Sequence, residues 1–145
     1  KNKMSLKLKI KKIHEHAVVP QYAHAGDAAL DLYAVSQTTL APGERTAIAT
    51  GVAFEIPDGY VGLIWDKSGL SMKNGLKTLG GVVDSTYRGE VLVGMINLSQ
   101  EPYTFEVGHK VAQMIIQKKE DVTVEEVGEL SDTARGEGGF GSTGK

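Results

Sequence analysis

Along much of the chain apolar and polar residues alternate at a spacing of two, the period of a strand with one buried face. In LKLKI (6–10), Leu6, Leu8 and Ile10 fall on one side and Lys7 and Lys9 on the other. Further strand-length runs are LDLYAV (30–35), TAIATGVAFEI (46–56), YVGLIW (60–65), EVLVGMINL (90–98), YTFEV (103–107), KVAQMIIQ (110–117) and VTVEEV (122–127). Turn signals separate them: APG (41–43), PDG (57–59), QEP (100–102) and VGHK (107–110). Many short strands at such spacing predict an all-β sandwich, jelly roll or barrel. One stretch breaks the pattern. DKSGLSMKNG (66–75) predicts a short helix, capped by Asp66 or Ser68 and stopped at Asn74–Gly75.

The pattern changes again near Gly128. GELSDTARGEGGFGSTGK (128–145) is polar and glycine-rich, with no apolar period to bury, and is expected to be a flexible arm. The expected organisation is therefore one β domain over 1–127 and an arm over 128–145. A length of 145 residues fits a single domain.

Composition narrows the function classes. A net charge of -2 argues against broad nucleic-acid binding, which needs a basic footprint, but leaves room for a small polyanion held by local donors. No run approaches the roughly 20 apolar residues of a membrane span, so no membrane partner is expected. The basic, alternating N-terminus lacks the apolar stretch and cleavage site of a signal peptide, and Met4 is the expected natural start. With no cysteine, disulfides and thiolate metal sites are excluded, and an intracellular (cytoplasmic) location is expected.

Several stretches can carry chemistry. The start of the helix in DKSGL would present unpaired N–H groups beside Lys67 and Ser68. It reads either as a phosphate contact or as a capped helix with a solvated lysine. LGGVVDSTYRGEV (79–91) reads as a β-hairpin with Asp84 at its mouth and Tyr87 three residues on. Gly80 and Gly81 would let another group approach the main chain, so a flat heterocycle could bond there. The alternative is a polar hairpin tip, where Asp is frequent. Asp31 points opposite to Leu30 and Leu32, either to the surface or into a cleft. Gln113, inside an apolar strand, needs a partner from the protein or from a ligand. His14 and His16 share an expected strand face, and all four histidines read as structural. In the tail, the glycines are not a Walker A loop but could wrap a polyphosphate. Arg135 could add a bidentate phosphate contact and Phe140 a stacking surface.

In their order these stretches resemble the five motifs of the trimeric dUTPase family (deoxyuridine triphosphate nucleotidohydrolases). AGDAALDLYA (25–34) is similar to motif one, DKSGL to motif two, GVVDSTYRGE to motif three, GHKVAQMII to motif four and RGEGGFGSTG to motif five. The resemblance implies a jelly-roll (β-clip) fold with one short helix, and a homotrimer whose active sites lie between subunits. It implies Mg²⁺-dependent hydrolysis of dUTP to dUMP and pyrophosphate, which limits uracil in DNA and supplies dUMP for thymidylate synthesis. By position, Asp84 would be the general base that activates water for in-line attack on the α-phosphorus. Asp31 would hold the water shell of Mg²⁺, itself bound by the phosphates. Lys67, Ser68, Gly69 and Gln113 would contact phosphate. The backbone of Gly81, Val82, Val83 and Asp84, with Leu92 opposite, would read uracil, and Tyr87 would pack under deoxyribose. Arg135, Phe140, Gly141, Ser142 and Thr143 would close over the nucleotide.

The sequence departs from the family pattern in places. Asp66–Lys67 stands where Pro–Arg is usual, Ala29 where motif one has its second glycine, and Thr78 where many members have Asn. Lysine keeps the charge of arginine but not its planar fork. Two rivals are weighed. The related dCTP deaminases carry a catalytic Glu where this chain has Gly94, with Glu90 the nearby acid, and they lack the arm. A non-catalytic nucleotide-binding module is allowed by fold alone, but the full motif set argues against it.

Overall fold

A computed structural model describes residues 5–144. Met4, the expected start, and Lys145, the last residue of the expected arm, lie outside the described residues. Ten strands and one helix follow in chain order: β1 (Lys9–Lys12), β2 (Leu30–Tyr33), β3 (Thr38–Leu40), β4 (Arg45–Glu55), β5 (Tyr60–Trp65), α1 (Ser68–Asn74), β6 (Leu76–Leu79), β7 (Val82–Val83), β8 (Glu90–Asn97), β9 (Tyr103–Phe105) and β10 (Lys110–Lys118). They form two four-stranded sheets, β1-β4-β8-β6 and β2-β10-β5-β7, and the ribbon β3-β9, with every pair antiparallel. The expected all-β jelly roll with one short helix is met.

Alternation explains the packing. In β8, Val91, Val93, Met95 and Asn97 point inward, while Leu92 and Gly94 lie on the other face. One apolar cluster joins the sheets: Val52, Phe54, Val93 and Met95 from the first, Leu32, Ile64, Ala112 and Met114 from the second, with Leu40 and Phe105 from the ribbon. Each large side chain buried this way contributes about 1.5–3 kcal/mol. Asn97 is wholly buried yet satisfied: its amide donates to the Leu40 and Glu101 carbonyls, and its oxygen accepts from Ser99.

Four expectations are corrected. VTVEEV (122–127) forms no strand; the last strand ends at Lys118, and Val122 and Val124 are exposed. Its alternation is real, but no strand lies beside it to pair with. The first strand starts at Lys9, leaving Leu6 exposed, and His14 and His16 sit in a turn beyond it. Neither Asp66 nor Ser68 caps the helix. Lys67 occupies the N-cap position with no side-chain bond to the helix end, and the Asp66 carboxylate is spent elsewhere. The C-terminal stop is as expected: Gly75 takes the left-handed conformation (φ 67°) and its N–H meets the Leu70 and Ser71 carbonyls. The fourth correction concerns the expected hairpin at 79–91. β7 pairs with β5, and β8 pairs with β4 and β6, so the two arms of this segment enter different sheets.

Candidate active site

The separation of β7 from β8 opens a cleft of about 230 Å³, lined by Ile64, Gly81, Val82, Val83, Asp84, Tyr87, Glu90, Val91 and Leu92. All six expected positions of the third motif and its opposite strand therefore meet in one place. β7 is the outer strand of its sheet, so one edge of its main chain is left without a ladder partner. Gly81 fits here because of its neighbour. A Cβ at that position would stand 2.7 Å from the Ile64 Cβ, and its φ of 148° disfavours a side chain. The Gly81 carbonyl accepts the Ile64 N–H at 2.8 Å, locking the strand entry. Val83 turns its side chain into the core, so only its backbone is offered to the cleft.

The loop from Asp84 to Glu90 is held by its own groups. The Tyr87 N–H donates to the Asp84 carbonyl at 3.1 Å, closing a turn that leaves the Asp84 carboxylate exposed. The Tyr87 hydroxyl donates to the Glu90 carbonyl at 2.8 Å. Gly89 leaves room for that ring, since a Cβ there would meet the Tyr87 hydroxyl at 2.5 Å. Arg88 donates to the Ser85 carbonyl at 2.5 Å and reaches Glu55 on β4 at 3.6 Å.

A second cleft, of about 470 Å³, is lined by residues including Asp27, Asp31, Trp65, Asp66, Lys67 and Gln113. Gln113 on β10 pairs in register with Asp31 on β2 and with Trp65 on β5, so the three form a row across the sheet. Asp31 does not face solvent. It is 3% exposed and takes two lysines: Lys67 on Oδ1 at 2.5 Å and Lys110 on Oδ2 at 3.1 Å. Burial alone would raise its carboxyl pKa, but hydrogen bonds and charge from both lysines outweigh that and hold it below the ordinary value. The same contact raises Lys110. A register shift between Lys110 and Ala112 accompanies this placement, as bulges re-aim side chains.

Asp66 is tied from three directions. Its carboxylate accepts the Thr78 N–H at 2.7 Å and pairs with Lys77 at 2.5 Å, while its carbonyl accepts the Gln113 amide at 2.8 Å. Burial opposes ionisation, but the bonds from Lys77 and Thr78 win and lower its pKa. Gln113 thus has a protein partner. Ser68 and Gly69 are exposed at the start of α1 beside Lys67 and do not line the cleft.

The two clefts share no lining residue. The arm joins neither. Arg135 donates from Nε to the Gly138 carbonyl at 2.7 Å, and the Ser142 N–H donates to Gly139 at 3.2 Å. Phe140 is fully exposed with a positive φ of 51°. Gly141, Ser142 and Thr143 are exposed with it.

Among the described residues, no three His, Asp or Glu side chains gather as a metal cage. Asp31 fits a lesser role. A carboxylate has about four lone-pair directions, and Mg²⁺ keeps several waters while taking one or two carboxylates plus substrate phosphates. The sequence reasoning missed Lys110 and the bridging of Asp66. Lys110 lies within the fourth motif, but only the fold shows that it reaches a carboxylate on another strand. Gly94 has a packing reason: a Cβ there would meet the Leu79 carbonyl at 2.9 Å.

The comparisons with known proteins agree with this architecture. The family model described as dUTPase matches residues 15–144. A deoxyuridine 5'-triphosphate nucleotidohydrolase of Clostridium kluyveri is 47% identical over 141 residues, covering 96% of this chain and 99% of that protein. The solved dUTPase of Staphylococcus bacteriophage 80alpha with dUPNHPP superposes with a TM-score of 0.90 at 29% identity, covering 96% of this chain and 99% of that one. A variant dUTPase from phage phi11 of S. aureus, whose structure describes coordination of a structural Mg(II) ion, has a TM-score of 0.81 at 26% identity, over 87% and 99% of the two chains. With the model spanning nearly all of the sequence and a relative close to half identical along it, the chain belongs to the dUTPase family.

Proposed function

We propose that this chain hydrolyses dUTP to dUMP and pyrophosphate. The observation that carries the reading is the cleft between β7 and β8, with an unpaired strand edge on one wall and Asp84 at its mouth. The names of its relatives support the substrate. Uracil lies between β7 and Leu92 and bonds to the main chain of Gly81–Asp84. Polar pairing of uracil cannot tell dUTP from UTP, because the bases are the same. Tyr87, fixed by its hydroxyl bond to Glu90, supplies the steric wall under the sugar that can.

Asp84 takes a proton from a water. The water oxygen attacks the α-phosphorus, and the bond to the oxygen bridging to the β-phosphorus breaks, with pyrophosphate leaving. Lys67 and Gln113 hold phosphate oxygens, with Ser68 and Gly69 beside them. Asp31 keeps Lys67 and Lys110 in place and would hold Mg²⁺ through water; bound with the phosphates, the ion would neutralise their charge.

The two clefts share no lining residue within one chain, and together with the resemblance to trimeric dUTPases this supports a homotrimer in which neighbouring copies bring them together. Residues 128–145 act as an arm that crosses to another copy. There Arg135 meets the terminal phosphates, Phe140 covers uracil, and Gly141, Ser142 and Thr143 wrap the nucleotide. The test is a nucleotide panel. With Mg²⁺, dUTP is expected to yield pyrophosphate far faster than UTP, dTTP or dCTP. Ammonia from dCTP would point instead to a deaminase, and no turnover of any nucleotide would point to a binding module.

A further inference from the structure

Asp66 stands where this chain leaves the family pattern, and partners on two strands hold it. Its carboxylate grips β6 through the Thr78 N–H and Lys77, and its carbonyl grips β10 through Gln113. Thr78 is 6% exposed, so its N–H has no ready access to water and depends on this carboxylate. Asp66 lies in the wall between two clefts. Asp66 and Lys67 line one, Lys77 and Thr78 line its neighbour, and Trp65 lines both.

We propose that Asp66 is a positioning residue that fixes the direction of both Lys67 and Gln113 into the cleft around Asp31. The inference rests on reading that cleft as the phosphate side of a dUTP site. With Asp66 held on two strands, Lys67 leaves the chain from a fixed, extended backbone (φ -83°, ψ 128°) and reaches Asp31. Gln113 spends one N–H on the Asp66 carbonyl and keeps its second for an anion. Lys77 balances the charge of Asp66, so the carboxylate adds little repulsion toward a polyphosphate. Asp66 itself touches no reacting atom.

The test compares the wild-type protein with Asp66→Ala, Asp66→Asn and Lys77→Met. It measures kcat and KM for dUTP with Mg²⁺, and the affinity for inorganic tripolyphosphate by calorimetry. Asp66→Ala is expected to raise KM and weaken tripolyphosphate about tenfold, the scale of one lost polar contact, with kcat changed less than about threefold. Asp66→Asn recovers most of that loss, because its side-chain oxygen still accepts the Thr78 N–H. Lys77→Met falls between them. Wild-type KM and tripolyphosphate affinity in Asp66→Ala would overturn the proposal, as would a fall in kcat alone. If Asp66→Ala does not fold, wild-type values in Lys77→Met overturn it equally. The wild-type arm separates the two levels. A wild-type protein that turns over no dUTP removes the underlying reading and this inference together. Wild-type turnover beside an indifferent Asp66→Ala removes this inference alone.

Discussion

The cleft around Asp31 and the segment after Lys118 hold their expected site residues in opposite ways. In the cleft, Asp31, Lys67 and Gln113 are fixed by partners from distant parts of the sequence. In the arm, Arg135, Phe140, Ser142 and Thr143 are exposed, and the bonds of Arg135 and Ser142 reach only three residues along the chain. The β body spends its conformational entropy on folding. On the proposed reading, the arm would defer that cost until a bound nucleotide gives it contacts. The division of labour would then be that one region pre-organises charge and the strand edge, and the other supplies closure.

One substitution and one truncation break the comparison at its extremes. Asp84→Asn is expected to retain binding of a non-hydrolysable dUTP analogue and to lose about 10²–10⁴-fold in turnover, the scale of a positioned general base. A stopped assay for pyrophosphate beside calorimetric binding checks both halves. Truncation after Ala134 is expected to leave the body folded and to cost about 10²–10³-fold in turnover, as loss of transition-state donors does. Circular dichroism and the same assay read it. Normal dUTP hydrolysis by the truncated chain would make the arm only a tail.

The smallest effect concerns acid stability and belongs to the body alone. Asp31 and Asp66 have folded-state pKa values below their unfolded values. Their contribution is therefore present above the unfolded value, about 3.9, and lost as pH falls through the folded one. Melting temperature is expected to drop on acidification below about pH 4, and to drop less steeply in Asp31→Asn. The truncated chain should follow the full chain through this range. A divergence would mean that the arm contributes to the folded body.

The same contrast explains what the sequence made legible. Long runs such as 46–56, 90–98 and 110–117 alternate because their inward faces are buried, so their strands were readable. β3 was not, since three residues carry too little pattern, while β7 was read as one arm of a hairpin at 79–91. Nor was the fate of 79–91 readable, because strand pairing is decided by packing across the whole fold. VTVEEV shows the reverse: a strand-like pattern with no neighbour to pair with in one chain. Asp84 and Tyr87 were legible as a turn with a carboxylate at its mouth. The pairing of Asp31 with Lys67 and Lys110 was not, because local sequence does not encode contacts across that separation.

The central claim is that one copy supplies the cleft with Asp84 and another supplies the arm. Mixing the Asp84→Asn chain with the arm-truncated chain, after dissociation and reassembly, tests it most directly. Neither variant alone should turn over dUTP appreciably, yet the mixture should regain activity, because some sites combine an intact Asp84 with an intact arm. Mixed oligomers that are seen by native mass spectrometry and remain inactive would contradict the account.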